Sequence, residues 1–305
     1  MTPTLPAQMR VLVRDWLSSN NIVLRSGDGH VVIDSGYHTA AEHTLQLLRT
    51  DDGLASAPLA LLVNTHCHSD HIGGNAAIHA AYGCPIAIPA GEAHLVDPWD
   101  PDGLWLGYAD QFAPQFRYDS LIEPGDTNTW GDLEWEAVSA PGHDMGALMF
   151  WNRRHRLLIT GDALWANGFG FVLPVEMDAR CIPAAHATLE LIGTLDAAIV
   201  IPGHGQPFAD VDGALERSRS KLAALAADPA RNARYIMKVM LSYALLSGRR
   251  IRLAQLPVYC DTVPVFRELN ARFLQLDPGE LSSLLFSQLE QSGAIALDGE
   301  YLVAR

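Results

Sequence analysis

A chain of 305 residues with 49% apolar and 18% charged side chains has the composition of a folded globular protein, which excludes a disordered tract or a fibrous repeat. Its 35 acidic residues against 21 basic ones leave a formal net charge of -14, a balance that argues against a nucleic-acid partner. No apolar run approaches the roughly 20 residues needed to span a bilayer, and Met1 to Trp16 lacks the layout of an export signal, so a cytoplasmic protein with no membrane partner is expected.

Asn21 to Arg25 and His30 to Ile33 are short runs rich in Val, Ile and Leu around Gly27-Asp28-Gly29, the pattern of a hairpin, and Asp34-Ser35-Gly36 ends the second strand. Thr39 to Leu48 places Ala41, Leu45 and Leu48 at helical spacing. Leu59 to Val63 is an apolar run of strand length. It feeds Asn64-Thr65-His66-Cys67-His68-Ser69-Asp70-His71-Ile72-Gly73-Gly74-Asn75, where three imidazoles and a carboxylate fall within six residues. In extended chain, residues two apart share a side, so His66 and His68 can grip one ion together. Asp70 and His71 follow where the chain turns toward a helix, Asn75 to Tyr82, stopped by Gly83, and they suit a second ion. Cys67 faces away from its two neighbours and reads as a buried structural thiol. Cys67, Cys84, Cys181 and Cys260 sit singly, which speaks against a disulfide framework.

Cys84 to Pro89 reads as a strand. Val96 to Tyr118 holds Pro98, Trp99, Pro101, Gly103, Trp105, Tyr108 and Pro114, the mark of a packed loop whose aromatics either line a pocket or bury the loop itself. Leu133 to Val138, Ala147 to Trp151 and Arg156 to Ile159 read as strands of a second sheet, followed by the aromatic stretch of Trp165, Phe169 and Phe171. A helix over Ala184 to Leu195 and a strand over Ala197 to Ile201 come next. Beyond Phe208 the pattern turns helical over Asp212 to Ala226, Asn232 to Leu246, Phe266 to Gln275 and Leu281 to Gln291, and ends in a hairpin about Asp298-Gly299. Two units, 1–211 and 212–305, are expected. Arg249-Arg250-Ile251-Arg252 is the tail's one basic cluster and reads as a solvated loop. His30, His38, His43, His79, His94, His155 and His186 lack motif context and receive no metal role.

The run from His66 to His71 resembles the H-x-H-x-D-H signature of the metallo-β-lactamase superfamily. In family order, Ala140-Pro141-Gly142-His143 looks like the second-histidine motif, Thr160-Gly161-Asp162 is similar to the bridging aspartate, and Pro202-Gly203-His204-Gly205 looks like the last histidine. The resemblance implies an α+β fold, a four-layer αββα sandwich over 1–211. It also implies a smaller helical, winged-helix-like domain over 212–305, similar to the appendage of a branch that includes a single-strand-specific endoribonuclease. It implies one site of His66, His68 and His143, a second of Asp70, His71 and His204, and Asp162 bridging, with Asp70 and Asp162 as the catalytic carboxylates. Asp34 matches a family aspartate that supports the ligand loop.

Five imidazoles and two carboxylates suit two divalent ions, zinc first, with iron or manganese as alternatives. Two such ions about 3.5–4 Å apart share a water whose pKa falls toward roughly 7. The resemblance therefore implies a binuclear hydrolase that attacks the ester, thioester or lactone carbonyl of a small molecule through a bridging hydroxide. A metal-dependent endoribonuclease is the alternative, with a β-lactamase as a subsidiary option and a non-catalytic module with structural metals as the third. Gly168-Phe169-Gly170-Phe171 offers no basic residue after Asp162, and no evident Lys/Arg pair follows His204, so a glutathione thioester is disfavoured. A homo-oligomer is left open.

Overall fold

In a computed structural model that describes residues 3–305, the aliphatic runs pair into two sheets. Met1 and Thr2, which begin the stretch read for an export signal and the first expected unit, lie outside the described residues. β1 (Met9–Leu12), β2 (Asn21–Leu24) and β3 (His30–Ile33) are antiparallel; β4 (Leu59–Val63), β5 (Ile86–Pro89) and β6 (Ser120–Ile122) extend the same sheet in parallel. In the second sheet β7 (Thr127–Trp130), β8 (Leu133–Ser139), β9 (Leu148–Asn152) and β10 (Leu157–Gly161) run antiparallel, and β11 (Ile199–Pro202) joins β10 in parallel.

Alternation along the strands sets the layers. Ile22 and Leu24 meet Trp135, Phe150 and Ile159 between the sheets, whereas Val23 turns outward. The outer face of the first sheet is covered by α1 (Ala41–Leu48), α2 (Ser69–Ile72), α3 (Asn75–Tyr82) and α4 (Ala93–Val96) through Leu48, Ile72, Ile78 and Val96. That of the second is covered by α5 (Cys181–Thr194) and α6 (Val211–Ala227), whose Leu189, Ile192, Leu215 and Leu222 pack on Trp151, Leu158 and Val200. This is the expected αββα sandwich.

The chain continues as α7 (Pro229–Leu246), a short strand β12 (Ile251–Arg252), α8 (Leu256–Thr262), α9 (Pro264–Leu269), α10 (Pro278–Gln291) and the hairpin of β13 (Ile295–Asp298) and β14 (Tyr301–Ala304), with β12 paired to β14. Asp228 caps α7 ahead of Pro229, and Asp277 with Glu280 forms a capping box on α10. This extension has its own core of Ile236, Met240, Leu241, Phe266, Leu285 and Leu302, and that core takes in Ala109 and Phe171 from the sandwich.

Elements not expected from the pattern include β1, β6, β7 and α8. The three strands have only three or four residues each, and polar ones such as Ser120 and Thr127-Asn128-Thr129 break the apolar signal. α5 starts at Cys181 rather than at 184, with Pro183 in its first turn, where a missing N–H breaks no helical bond. The loop over Val96 to Tyr118 divides between the two readings given it. Leu104, Leu106 and Phe116 are core, with Trp99 edge-on to Phe116, while Trp105 lines a cavity. No described helix is long and apolar enough to cross a membrane.

Candidate metal centre

The proposed ligands all lie just past the carboxyl ends of strands: His66 to His71 after β4, His143 after β8, Asp162 after β10 and His204 after β11. Parallel and antiparallel neighbours thus deliver four loops to one end of the sandwich, the end where crevices form. Glycine allows the last two to meet, since a Cβ on Gly203 would collide with Asp162 Oδ1.

Two clusters result. The ligand atoms of His66, His68 and His143 lie within 4.8 Å of one another, and so do those of Asp70, His71, Asp162 and His204. Asp162 faces both: Oδ2 is 3.5 Å from His143 Nε2, while Oδ1 is 3.4 Å from His71 Nε2 and 3.7 Å from His204 Nε2. His204 Nε2 is 3.0 Å from Asp70 Oδ2, and His71 Nε2 is 3.7 Å from it. The structure therefore brings together all seven residues that the sequence singled out. Among the described residues no other His, Cys, Asp or Glu cluster of this kind forms, and Cys67 is buried beside Glu92, away from the ligands.

Hydrogen bonds at the far side of the His66, His71 and His143 rings set which nitrogen faces inward. His71 Nδ1 donates to Asp34 Oδ2 at 2.8 Å and His143 Nδ1 donates to the Phe171 carbonyl at 2.6 Å, which leaves an Nε2 lone pair on each. Asp34 also accepts from Thr65 N and Oγ1, both at 2.9 Å, and Thr65 Oγ1 is 3.1 Å from His66 Nδ1. His68 turns Nε2 toward Asp144 Oδ2 at 3.6 Å, and its Nδ1 stands 2.9 Å from His143 Nε2. His66 Nε2 and His71 Nε2 are buried without a hydrogen-bond partner.

The electrostatics ask for cations. Asp34, Asp70 and Asp162 are buried, and every ion pair they make is with an imidazole. Three buried carboxylates without a fixed positive partner are unfavourable unless something charged joins them. Burial, and then its imidazole neighbours, push His66 well below the usual histidine range, and burial brings His68 down to about 4. Burial opposes charge on His71 too, yet Asp34, Asp162 and Asp70 together hold its pKa well above the usual value. Orphaned ring nitrogens, the neutral imidazoles of His66 and His68, and a carboxylate with one oxygen facing each cluster fit a pair of divalent cations.

Above the centre lies a cavity of about 700 Å³ that reaches His68, Asp70, His143 and Asp162. Its walls include Trp105, Trp165 and Phe171, with Val239, Met240, Leu246 and Leu289 contributed by α7 and α10. Phe171 stacks on His68 at 6.0 Å, and Trp165 donates its indole N–H to Asp162 Oδ1 at 3.2 Å, so these two line the site; Phe169 is core. Sequence reasoning missed four side chains. Trp16 stacks on His204 at 5.9 Å, Asp144 faces His68, Tyr243 of α7 turns its phenol toward Asp70, and Lys221 of α6 lines the cavity. Only Asp144 carried a signal, its place beside His143. Tyr243 falls within an apolar helical pattern, where it reads as packing.

The model of the metallo-beta-lactamase superfamily matches residues 14–204 of this chain. A hydroxyacylglutathione hydrolase from Bdellovibrio bacteriovorus is 31% identical over 112 residues, 37% of each protein. The chain thus spans little more than a third of that relative. An acyl-coenzyme A thioesterase, MBLAC2, from Gallus gallus is 28% identical over 212 residues, which cover 62% of this chain and 73% of that one. Among solved structures, a metallo-beta-lactamase family protein from Thermus thermophilus superposes over 99% of this chain and 100% of its own, with a TM-score of 0.59 and 18% identity, a likeness of fold that includes the helical extension.

Proposed function

The chain belongs to the metallo-β-lactamase superfamily, and from that premise we propose that it is a binuclear metal-dependent hydrolase whose substrate is a thioester. The observation that carries the reading is Asp162, one oxygen among the imidazoles of the first cluster and the other among those of the second. His66, His68 and His143 would hold one cation and Asp70, His71 and His204 the other, with zinc, iron or manganese all suited to the donors. When bound, such a pair supplies Lewis acidity and a water acidic enough to attack near neutral pH.

The chain's own residues do the rest. Asp34 and the Phe171 carbonyl fix the imidazole tautomers, and the Trp165 indole steadies the shared carboxylate. Trp105 and Phe171 present an apolar wall to an acyl group and thin out the competing solvent. In the overall reaction the oxygen of water bonds to the acyl carbon and the carbon–sulfur bond breaks; one of the water's protons goes to the departing thiolate and the other leaves the carboxylic acid product for solvent. A thiol is acidic, with a pKa near 8.5 for cysteine, so its anion departs more readily than an alkoxide. That favours a thioester over the ester and lactone options, and both kinds of relative named above carry thioester-hydrolase names.

The alternative, cleavage of single-stranded RNA by way of the tail's arginines, loses support. Arg249 pairs with Asp110 at 2.9 Å, Arg250 with Asp298 at 2.6 Å and Arg252 with Glu300 at 3.5 Å, so each already faces an acid. The test is metal content by plasma emission on the protein as purified, with thioesters, lactones and short RNAs assayed on the same preparation. Two equivalents of metal and thioester turnover that falls more than about 1000-fold in His68→Ala and Asp162→Asn, with circular dichroism unchanged, are expected. Turnover retained in either variant would overturn the reading.

A further inference from the structure

The cations of this acidic chain are not evenly spread. Arg231, Arg234 and Lys238 stand at i, i+3 and i+7 on α7 and so share one face, and Lys221 of α6 lies across from them. All four line a groove of about 1010 Å³ between the two helices. Arg217 lines it as well but is tied to Asp210 at 3.0 Å and to the Ala166 carbonyl. Among the described residues the other four make no ion pair, and Glu216 is the one carboxylate at the groove. Lys221 Nζ donates to the Tyr235 hydroxyl at 2.9 Å and stands over the rings of Tyr235 and Phe169 at 4.4 and 4.9 Å. Burial, and then Arg234 and Arg231, lower the pKa of Lys238, the mark of like charges held close. Such a concentration, on a chain of net charge -14, sets up a field for anions.

The groove adjoins the catalytic cavity, and Lys221, Tyr235 and Lys238 line both. Helix geometry gives the spacing. At 1.5 Å per residue, Lys238 lies about 7.5 Å along α7 from Tyr243, which faces Asp70, and Arg231 lies about 18 Å from it.

We propose that this groove holds the phosphate groups of the substrate's thiol carrier, a nucleotide-bearing thiol of the coenzyme A kind. The carrier's arm lies along α7, and the acyl group sits at the apolar end beside Phe171, Met240 and Leu289; the inference rests on the thioester reading above. Guanidinium pairs suit phosphate because their forked N–H groups match its oxygens.

The test uses the metal-loaded protein and one acyl group on three thiols, coenzyme A, N-acetylcysteamine and glutathione. Calorimetry of adenosine 3′,5′-bisphosphate gives a binding readout apart from turnover. The coenzyme A ester is expected to be preferred over the cysteamine ester by about 10-fold or more in kcat/KM. The Arg231→Ala/Arg234→Ala variant should raise KM for it about 10- to 100-fold with little change in kcat, and should lose bisphosphate binding. Arg231→Lys/Arg234→Lys should recover much of both. Equal use of the coenzyme A and cysteamine esters, or a KM that the double variant leaves alone, overturns the groove assignment while the hydrolase reading stands. Preference for the glutathione ester, lost in the variant, overturns phosphate in favour of carboxylate. No turnover of any thioester overturns the hydrolase reading itself, and the bisphosphate titration then still decides the groove.

Discussion

Asp34 accepts a hydrogen bond from His71 Nδ1 at 2.8 Å while its own backbone sits at a φ of 60°, in the left-handed region. A non-glycine residue stays there when its surroundings over-determine it, and Thr65 N, Thr65 Oγ1 and the Asn21 amide all hold Asp34 in place. Asparagine tolerates the same backbone, so Asp34→Asn removes the charge without adding strain. Metal affinity is expected to fall about 10- to 100-fold with the fold retained, read by chelator competition beside circular dichroism. Unchanged affinity would reduce Asp34 to a turn residue.

Tyr243 reaches the centre from α7. Burial, and then Asp70 and Asp162, push its phenol well above the usual range, so it keeps its proton and donates at neutral pH. Tyr243→Phe is expected to lower kcat about 10- to 100-fold, the worth of a hydrogen bond to a charged group, with metal content unchanged. A kcat within twofold of wild type would leave the residue as wall alone.

Lys221 offers a pH test. Burial brings its pKa down to about 8 from the ordinary lysine value near 10.5, so the folded protein sheds this proton more readily than the unfolded chain. The penalty of burying the charge is fully present below pH 8 and is relieved as pH rises from about 8 to about 10.5. This group alone therefore makes stability rise over that window. Urea midpoints measured for wild type and Lys221→Met between pH 7 and 10 should show the variant's relative advantage shrinking as pH rises. A difference independent of pH would contradict the assignment.

Arg249 ties the extension to the long loop, since Asp110 accepts from it at 2.9 Å and from the Tyr259 hydroxyl at 2.8 Å. Replacing Arg249, Arg250 and Arg252 with alanine is expected to leave thioester turnover within twofold and to lower stability by about 1 kcal/mol per pair or less, as for other exposed pairs. Metal-dependent RNA cleavage that disappears with the three arginines would instead favour the nuclease alternative.

The ligands were legible in the sequence because four of the seven fall within six residues and the others each follow a glycine-bearing turn at the end of a strand. The layers were legible because Leu59 to Val63 and Leu157 to Ile159 are apolar without interruption. Charge was harder to read. Arg249, Arg250 and Arg252 look like a cluster because they are adjacent, yet the fold gives each an acid. Arg231, Arg234 and Lys238 look like an ordinary solvated helix face because neutral residues separate them, and only the packing of α6 beside α7 turns them into a groove. Tyr243 and Trp16 were invisible for a similar reason, since nothing local marks a side chain that meets its partners across the fold.

Phe171 does three jobs with one residue. Its carbonyl holds the His143 ring, its own ring walls the cavity, and it packs into the core of the helical extension. A graft that exchanged the tail for another, to change what the protein accepts, would therefore tug on an imidazole of the reaction centre. Selectivity and reactivity are mechanically linked here, and variants that broaden the first should be found paying in the second.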